Sequence, residues 1–207
     1  MIFSQGPLRS QQPLVLASSS PRRQMLLSTL GITFSVIAST KKEPLPKQDE
    51  LPQNYAERAA MLKVEDVAQK NLAEVILGAD TIVVFDNQIL GKPQNHAQAL
   101  AMLTKLNGRT HEVITACCLL VPQKKPCLFH VRSRVTFANW PQHILAAYAS
   151  TEEPMDKAGA YALQGAGSFL IRTIEGSHSN IIGLPLTETV EALLELNVIS
   201  IPEQRAE

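Results

Sequence analysis

Cysteine is scarce in this chain. Its three cysteines, Cys117, Cys118 and Cys127, form no C-x-x-C pair. An odd count excludes a fully paired disulfide framework, and the spacing argues against a zinc site. Cys117 and Cys118 lie in a β-rich run and read as small core residues. Surplus charge is absent as well: Lys plus Arg and Asp plus Glu each total 19. A duplex-binding protein usually carries a basic excess, and no recognition-helix pattern is present, so stable nucleic-acid binding is not expected. Any anion site must come from local placement of cations. No apolar run reaches the ~18 residues of a membrane span. The opening stretch Met1–Gln12 contains Gly6 and Pro7 in place of the apolar core of a signal peptide. A reduced, soluble, cytoplasmic protein without a membrane partner is expected. There is no repeat, no low-complexity tract and no P-loop pattern to support transfer of a terminal phosphoryl group.

What is present is 207 residues, 45% of them hydrophobic, enough for one domain with a substantial core. Residues 13–199 read as that domain, and 1–12 and 200–207 as flexible tails. Pro13–Ser18 reads as a short buried strand. It runs into a serine turn and then Pro21, a favoured first helical position. Arg22–Leu30 reads as a helix with Met25, Leu26, Leu27 and Leu30 on its apolar side, stopped by Gly31. Thr33–Ala38 reads as a strand and Lys41–Pro52 as a mobile loop. Helical spacing covers Asn54–Lys70 and Asn95–Leu106, the latter capped by Gly108. Val75–Phe85 is an apolar run, followed by turn chemistry at Asp86-Asn87. Glu112–Val121 and Cys127–Phe137 suit a hairpin. Trp140–Ser150 and Thr187–Leu196 read as helices, and Gly167–Ile174 as a strand. Helices alternate with strands around a central hairpin, so a mixed sheet is expected.

Four constellations carry chemistry. In Ser18-Ser19-Ser20-Pro21-Arg22-Arg23 a strand, a hydroxyl-rich turn and a helix start bearing two arginines follow one another. Free amides at a helix start favour an anion, and guanidinium forks match phosphate oxygens. Cations in a first helical turn otherwise oppose the dipole. In Gly78-Ala79-Asp80-Thr81 an acid interrupts an apolar strand. Burying it bare is costly, so it must be paired, metal-bound or catalytic. Gly91-Lys92-Pro93 pins a lysine on a turn. Asp156–Gly165 sets small residues, an aromatic and Gln164 between glycines. The five histidines lack metal-ligand spacing and read as surface or structural.

Taken together, these motifs resemble the Maf family of nucleoside triphosphate pyrophosphatases. The resemblance rests on LASSSPRR (Leu16–Arg23), GADT (Gly78–Thr81), GKP (Gly91–Pro93), GRTHEVIT (Gly108–Thr115), EPMDKAGAYALQG (Glu153–Gly165) and GLPL (Gly183–Leu186), and spans Leu14 to Val198. It implies an α/β fold of the Maf/ITPase-like kind: a twisted mixed sheet flanked by helices, with two lobes around a central cleft. It implies that Ser18, Ser20, Arg22 and Arg23 hold the triphosphate, with Lys63 and Lys92 as further phosphate-side cations. Asp80 is implied as general base or metal ligand, and Glu43 as a metal ligand, although the surrounding Ser39–Pro44 departs from the family pattern. The implied cofactor is a divalent cation, Mg²⁺ or Mn²⁺, and a homodimer is an open option.

Within the family, a dTTP/UTP branch is distinguished from a 7-methyl-GTP branch. The pyrimidine branch has Arg directly after Ser-Pro, Thr after the catalytic Asp, and Gln in the last glycine-rich motif. Arg22, Thr81 and Gln164 side with it. The implied reaction is attack of water on the α-phosphorus of dTTP or UTP, with house-cleaning of non-standard nucleotides as a role. The rival reading is a nucleotide-binding regulator of cell division or septum formation with little turnover.

Overall fold

The computed structural model describes residues 6–201. In chain order it contains β1 (Arg9–Ser10), β2 (Leu14–Leu16), α1 (Pro21–Ser28), β3 (Ser35–Val36), α2 (Pro52–Ala68), β4 (Val75–Phe85), β5 (Gln88–Leu90), α3 (His96–Leu106), β6 (Thr110–Leu120), β7 (Cys127–Phe137), α4 (Gln142–Ala149), β8 (Ile171–Glu175), α5 (His178–Ile182), α6 (Leu186–Glu195) and β9 (Ile199–Ser200). A mixed sheet of seven strands runs β3-β2-β4-β6-β7-β8, with β5 added to β4. β2 pairs in parallel with β3 and β4, and the remaining pairs are antiparallel.

The central strand β4 organises the core, because a strand's side chains alternate between faces. Ile76, Ile82 and Val84 pack under α2 with Tyr55, Ala56, Ala60 and Val64. On the opposite face, Leu77 and Ala79 join Leu26 and Leu27 of α1 and Leu193 of α6. Further along that same face, Val83 and Phe85 join Leu103 of α3 and Leu145 of α4. Thr81 lies between these two clusters along the same face of β4.

Local chemistry explains the element ends. Pro21 starts α1, and the Ser20 hydroxyl caps it by accepting from the Arg23 N–H. The Asn95 carboxamide caps α3 through the Gln98 N–H at 2.9 Å. Asp86 and Asn87 both have positive φ (49° and 60°), as a two-residue hairpin turn requires.

Several sequence expectations need correction. Ala166–Leu170 is a 3₁₀ turn, so the strand expected over 167–174 begins only at Ile171. The Glu153 carboxylate accepts the N–H groups of Ala166 and Gly167, which draws that backbone out of a sheet ladder. Met25 is 48% exposed and lies off the apolar side of α1. Parts of the two expected tails pair with each other: Arg9–Ser10 lies antiparallel to Ile199–Ser200, and the Gln11 N–H donates to the Val198 carbonyl at 2.8 Å. Residues 1–5 and 202–207 lie outside the described region. Lys41–Pro52 contains no strand and is tied to α2 at both ends. Asp66 accepts from the Thr40 N–H and the Ser39 hydroxyl, and Arg58 pairs with Glu50. Among the described residues, no helix is long and apolar enough to cross a membrane.

Candidate active site

The site opens where β4 loses a neighbour. β2 pairs with β4 as far as Leu77, and β5 pairs with the same strand from Val83. Beyond Leu77 the Ala17 N–H still donates to the Leu77 carbonyl. The chain then leaves the sheet through Ser18–Ser20 into α1. Open α/β sheets place ligand crevices at such divergences. Here the cleft encloses about 560 Å³ and is bordered by the start of α1, by α2, β4 and β5, and by the glycine-rich segment 156–164.

The Ser18–Arg23 segment forms one wall. Ser18 is buried, and its Oγ accepts from the Ser20 N–H and from Arg23 Nη1, both at 3.2 Å. Arg23 also donates from Nε to the Gly183 carbonyl at 2.7 Å and from Nη2 to Thr81 Oγ1 at 3.0 Å. Desolvation lowers the pKa of this guanidinium, and the nearby Asp80 charge works against the shift. Arginine keeps its charge in either case. Arg22 is held more loosely, with Nη1 3.6 Å from the Asp156 carboxylate. The two arginines therefore differ: one is locked into the wall, and the other can swing.

The opposite wall is α2. Gly78 lets this helix lie close on β4, because a Cβ there would stand 2.6 Å from Val64 Cγ2 and 3.0 Å from the Ala60 carbonyl. That approach brings Lys63 to Asp80, which is 4% exposed. Lys63 Nζ donates to Asp80 Oδ1 at 2.5 Å and to Glu43 Oε1 at 3.2 Å. Desolvation disfavours the Glu43 carboxylate. The Lys63 charge and hydrogen bond outweigh that effect, with help from Lys92 and Arg23, and hold its pKa below the ordinary carboxylate range.

Thr81 points to the other face. Its hydroxyl meets Arg23 and lies 2.9 Å from Thr115 Oγ1. Thr115 in turn donates its hydroxyl to the Asn180 carbonyl. Asn180 is fully buried, and its side chain ties Thr115, Val113 and Ser133 together. Lys92 and Gln164 are both exposed where they border the cleft. The Gly159 N–H donates to the Gly91 carbonyl at 3.1 Å, which joins the Lys92 turn to the glycine-rich segment.

The structure thus gathers every sequence candidate around one cleft. Sequence reasoning missed others. Lys157, 14% exposed, borders the cleft, paired with Asp156 and donating to the Glu153 carbonyl. Its sequence signal was a lysine within the EPMDKAGAYALQG motif. Thr115 closes the GRTHEVIT motif, while Asn180 lies in no motif and carried no sequence signal beyond being a polar residue beside an apolar run. Tyr161 borders the cleft, but its hydroxyl lies 2.8 Å from His111 Nε2, inside an edge-to-face cluster with Phe137.

Among the described residues, no three His, Cys, Asp or Glu side chains gather as a metal site. Asp80 and Glu43 converge on the single Lys63 ammonium, which gives two hard oxygen donors side by side. Magnesium commonly takes one or two carboxylates plus substrate phosphates. The donor set fits such an ion only in company with a phosphorylated ligand.

A family model described as Maf-like protein matches residues 13–196. The chain belongs to the Maf family. The Maf chain is 45% identical over 199 residues to the dTTP/UTP pyrophosphatase of Nitratidesulfovibrio vulgaris, covering 96% of this chain and 95% of that protein. It is 42% identical over 193 residues to the dTTP/UTP pyrophosphatase of Geotalea uraniireducens, covering 93% and 99%. The Bacillus cereus dTTP/UTP pyrophosphatase is 38% identical over 185 residues, covering 89% and 96%. The solved structure of the Staphylococcus aureus Ham1 protein matches this Maf chain with a TM-score of 0.52 at 16% identity, covering 90% and 100%. A HAM1 protein from Coxiella burnetii matches with a TM-score of 0.50 at 17% identity, covering 89% and 100%. At such identities the likeness establishes a shared fold.

Proposed function

We propose that this Maf protein hydrolyses dTTP and UTP between the α and β phosphorus atoms, releasing the monophosphate and pyrophosphate. The relatives carry that activity in their names. The observation that carries the reading here is a buried carboxylate, Asp80, held by Lys63 on the floor of a cation-rich cleft.

In this reading the cations meet the triphosphate. Arg23 is preorganised by Ser18, Thr81 and Gly183, so it loses little freedom when phosphate binds. Arg22, Lys92 and Lys157 follow the phosphates as charge moves onto the leaving pyrophosphate. Asp80 accepts the proton of the attacking water. Lys63 holds that carboxylate at the cleft through its hydrogen bond to Oδ1. Asp80 and Glu43 would hold a divalent cation, Mg²⁺ or Mn²⁺, together with phosphate oxygens. When bound it would supply Lewis acidity and offset phosphate charge. Gln164 meets the edge of the base, where its amide can both donate and accept. Thr81 acts at one remove, through Arg23.

The test is turnover of a panel of UTP, dTTP, 7-methyl-GTP and ATP, with products separated by ion exchange. UMP and pyrophosphate are expected from UTP, at higher kcat/KM than 7-methyl-GTP supports. UDP as first product overturns the cleavage site. A preference for 7-methyl-GTP overturns the base assignment. Tight UTP binding without turnover makes the protein a nucleotide-binding regulator.

A further inference from the structure

Gln164 stands at the cleft border without support of its own. Among the described residues its side chain makes no hydrogen bond, so its placement depends on the backbone turn that carries it. That turn is held from behind by one carboxylate. Glu153 accepts the Ala166 N–H on Oε2 at 2.9 Å, the Gly167 N–H on Oε1 at 2.8 Å, and the Tyr148 hydroxyl on Oε1 at 2.9 Å. Glu153 does not itself border the cleft.

Two glycines make this clamp fit. Gly165 has φ of +127°, and a Cβ there would stand 2.5 Å from Glu153 Oε2. A Cβ on Gly167 would collide with the Tyr148 hydroxyl. Left-handed backbone and close approach both require glycine at 165. The clamp is also charged. Desolvation disfavours the carboxylate, but the hydrogen bonds from Gly167, Ala166 and Tyr148 hold its pKa below the ordinary range. Charge-assisted bonds of this kind are shorter and stronger than neutral ones. Tyr148 is 4% exposed in the α4 core, so it anchors the carboxylate to rigid structure.

We propose that Glu153 is a positioning residue for base selection: braced by Tyr148, its carboxylate fixes the turn 164–167 so that Gln164 presents its amide to the nucleotide base. This rests on the reading of Gln164 as the residue that meets the base. A Glu153 side-chain change leaves untouched the backbone carbonyl that accepts from Lys157, so the phosphate side of the cleft keeps that contact.

The experiment compares kcat/KM for UTP and for ATP in wild type, Glu153→Gln, Tyr148→Phe, Gln164→Ala and the double variant Glu153→Gln/Gln164→Ala. A site built to hydrogen-bond a group discriminates strongly when that match is lost. Glu153→Gln is expected to lower kcat/KM for UTP by about 10-fold or more, chiefly through KM, and to change ATP turnover much less. Tyr148→Phe moves the UTP-to-ATP ratio the same way by a smaller factor. In the double variant the ratio matches that of Gln164→Ala alone, because two residues acting through one contact are not additive. Equal losses for UTP and ATP, or an additive double variant, overturn the positioning role. If Glu153→Gln fails to fold, Tyr148→Phe decides: an unchanged ratio overturns the proposal. A Gln164→Ala protein that keeps its full UTP preference shows instead that the base is read elsewhere, a failure of the underlying assignment.

Discussion

Lys63 reaches from its helix across to the central strand and donates to Asp80 Oδ1 at 2.5 Å. The same ammonium donates to Glu43 at 3.2 Å. A carboxylate in an otherwise apolar strand is thereby kept from being bare, and it remains at the cleft. Leaving one member of such a pair unmatched is expensive, so structural and chemical tests must be separated by choice of substitution.

Asp80→Asn makes that separation. The amide oxygen still accepts from Lys63, so the fold is kept and the thermal midpoint moves little. Turnover of UTP is expected to fall at least ~10²-fold, the lower end for losing a general base. A variant turning over UTP at close to the wild-type rate removes Asp80 from the chemistry.

Gly78→Ala tests the contact that brings the two together. The added methyl group meets Val64 and the Ala60 carbonyl, and overpacking of this kind costs about 1–3 kcal/mol. The melting temperature should drop, and UTP turnover should drop with it as α2 shifts Lys63 relative to Asp80. Trimming the obstacle with Val64→Ala should return part of both. An unchanged melting temperature in Gly78→Ala means the helix does not depend on this approach.

His111 predicts a specific pH response. It is 2% exposed, and desolvation pushes its pKa from 6.5 down to about 4. Its Nδ1 has no partner among the described residues. The native state therefore keeps the ring neutral where the unfolded state protonates it. Stability is full above pH 6.5 and is lost as pH falls from there towards 4, by up to about 3 kcal/mol. His111→Gln should be less stable at pH 7 through lost packing, yet show a shallower fall in denaturant midpoint between pH 7 and 4.5. Parallel curves for the two proteins would show that His111 does not titrate in this way.

Long elements with local chemistry were legible in the sequence. β4, β6 and β7 are sustained apolar or alternating runs, and α1 and α3 announce themselves by Ser20-Pro21 and Asn95. The chemistry-bearing charges were legible for a related reason: Asp80 inside an apolar strand and two arginines at a helix start are each unfavourable without a partner. What stayed hidden depends on contacts between residues far apart. The pairing of Arg9 with Ser200 has no local cue. The five-residue α5 is too short for helical periodicity to register. Glu153 takes its meaning from amides 13 and 14 positions onward, and Asn180 from Thr115, 65 positions back. The contacts of Thr81, whose hydroxyl is engaged by Arg23 and Thr115, were likewise not readable from the chain order.

The bridge from Asp156 to Arg22 and Lys157 matters most when no nucleotide is present. Six cationic side chains border the cleft: Arg22, Arg23, Lys41, Lys63, Lys92 and Lys157. Crowded like charges repel one another and destabilise a compact state. Glu43, Asp80 and Asp156 stand among them, so the chain itself supplies part of the negative charge that these cations attract. A bound triphosphate would then exchange one set of anionic partners for another and would not have to quench a bare positive field. These cations can therefore be gathered on one cleft because the fold sets its own acids among them, and their mutual repulsion is offset within the chain.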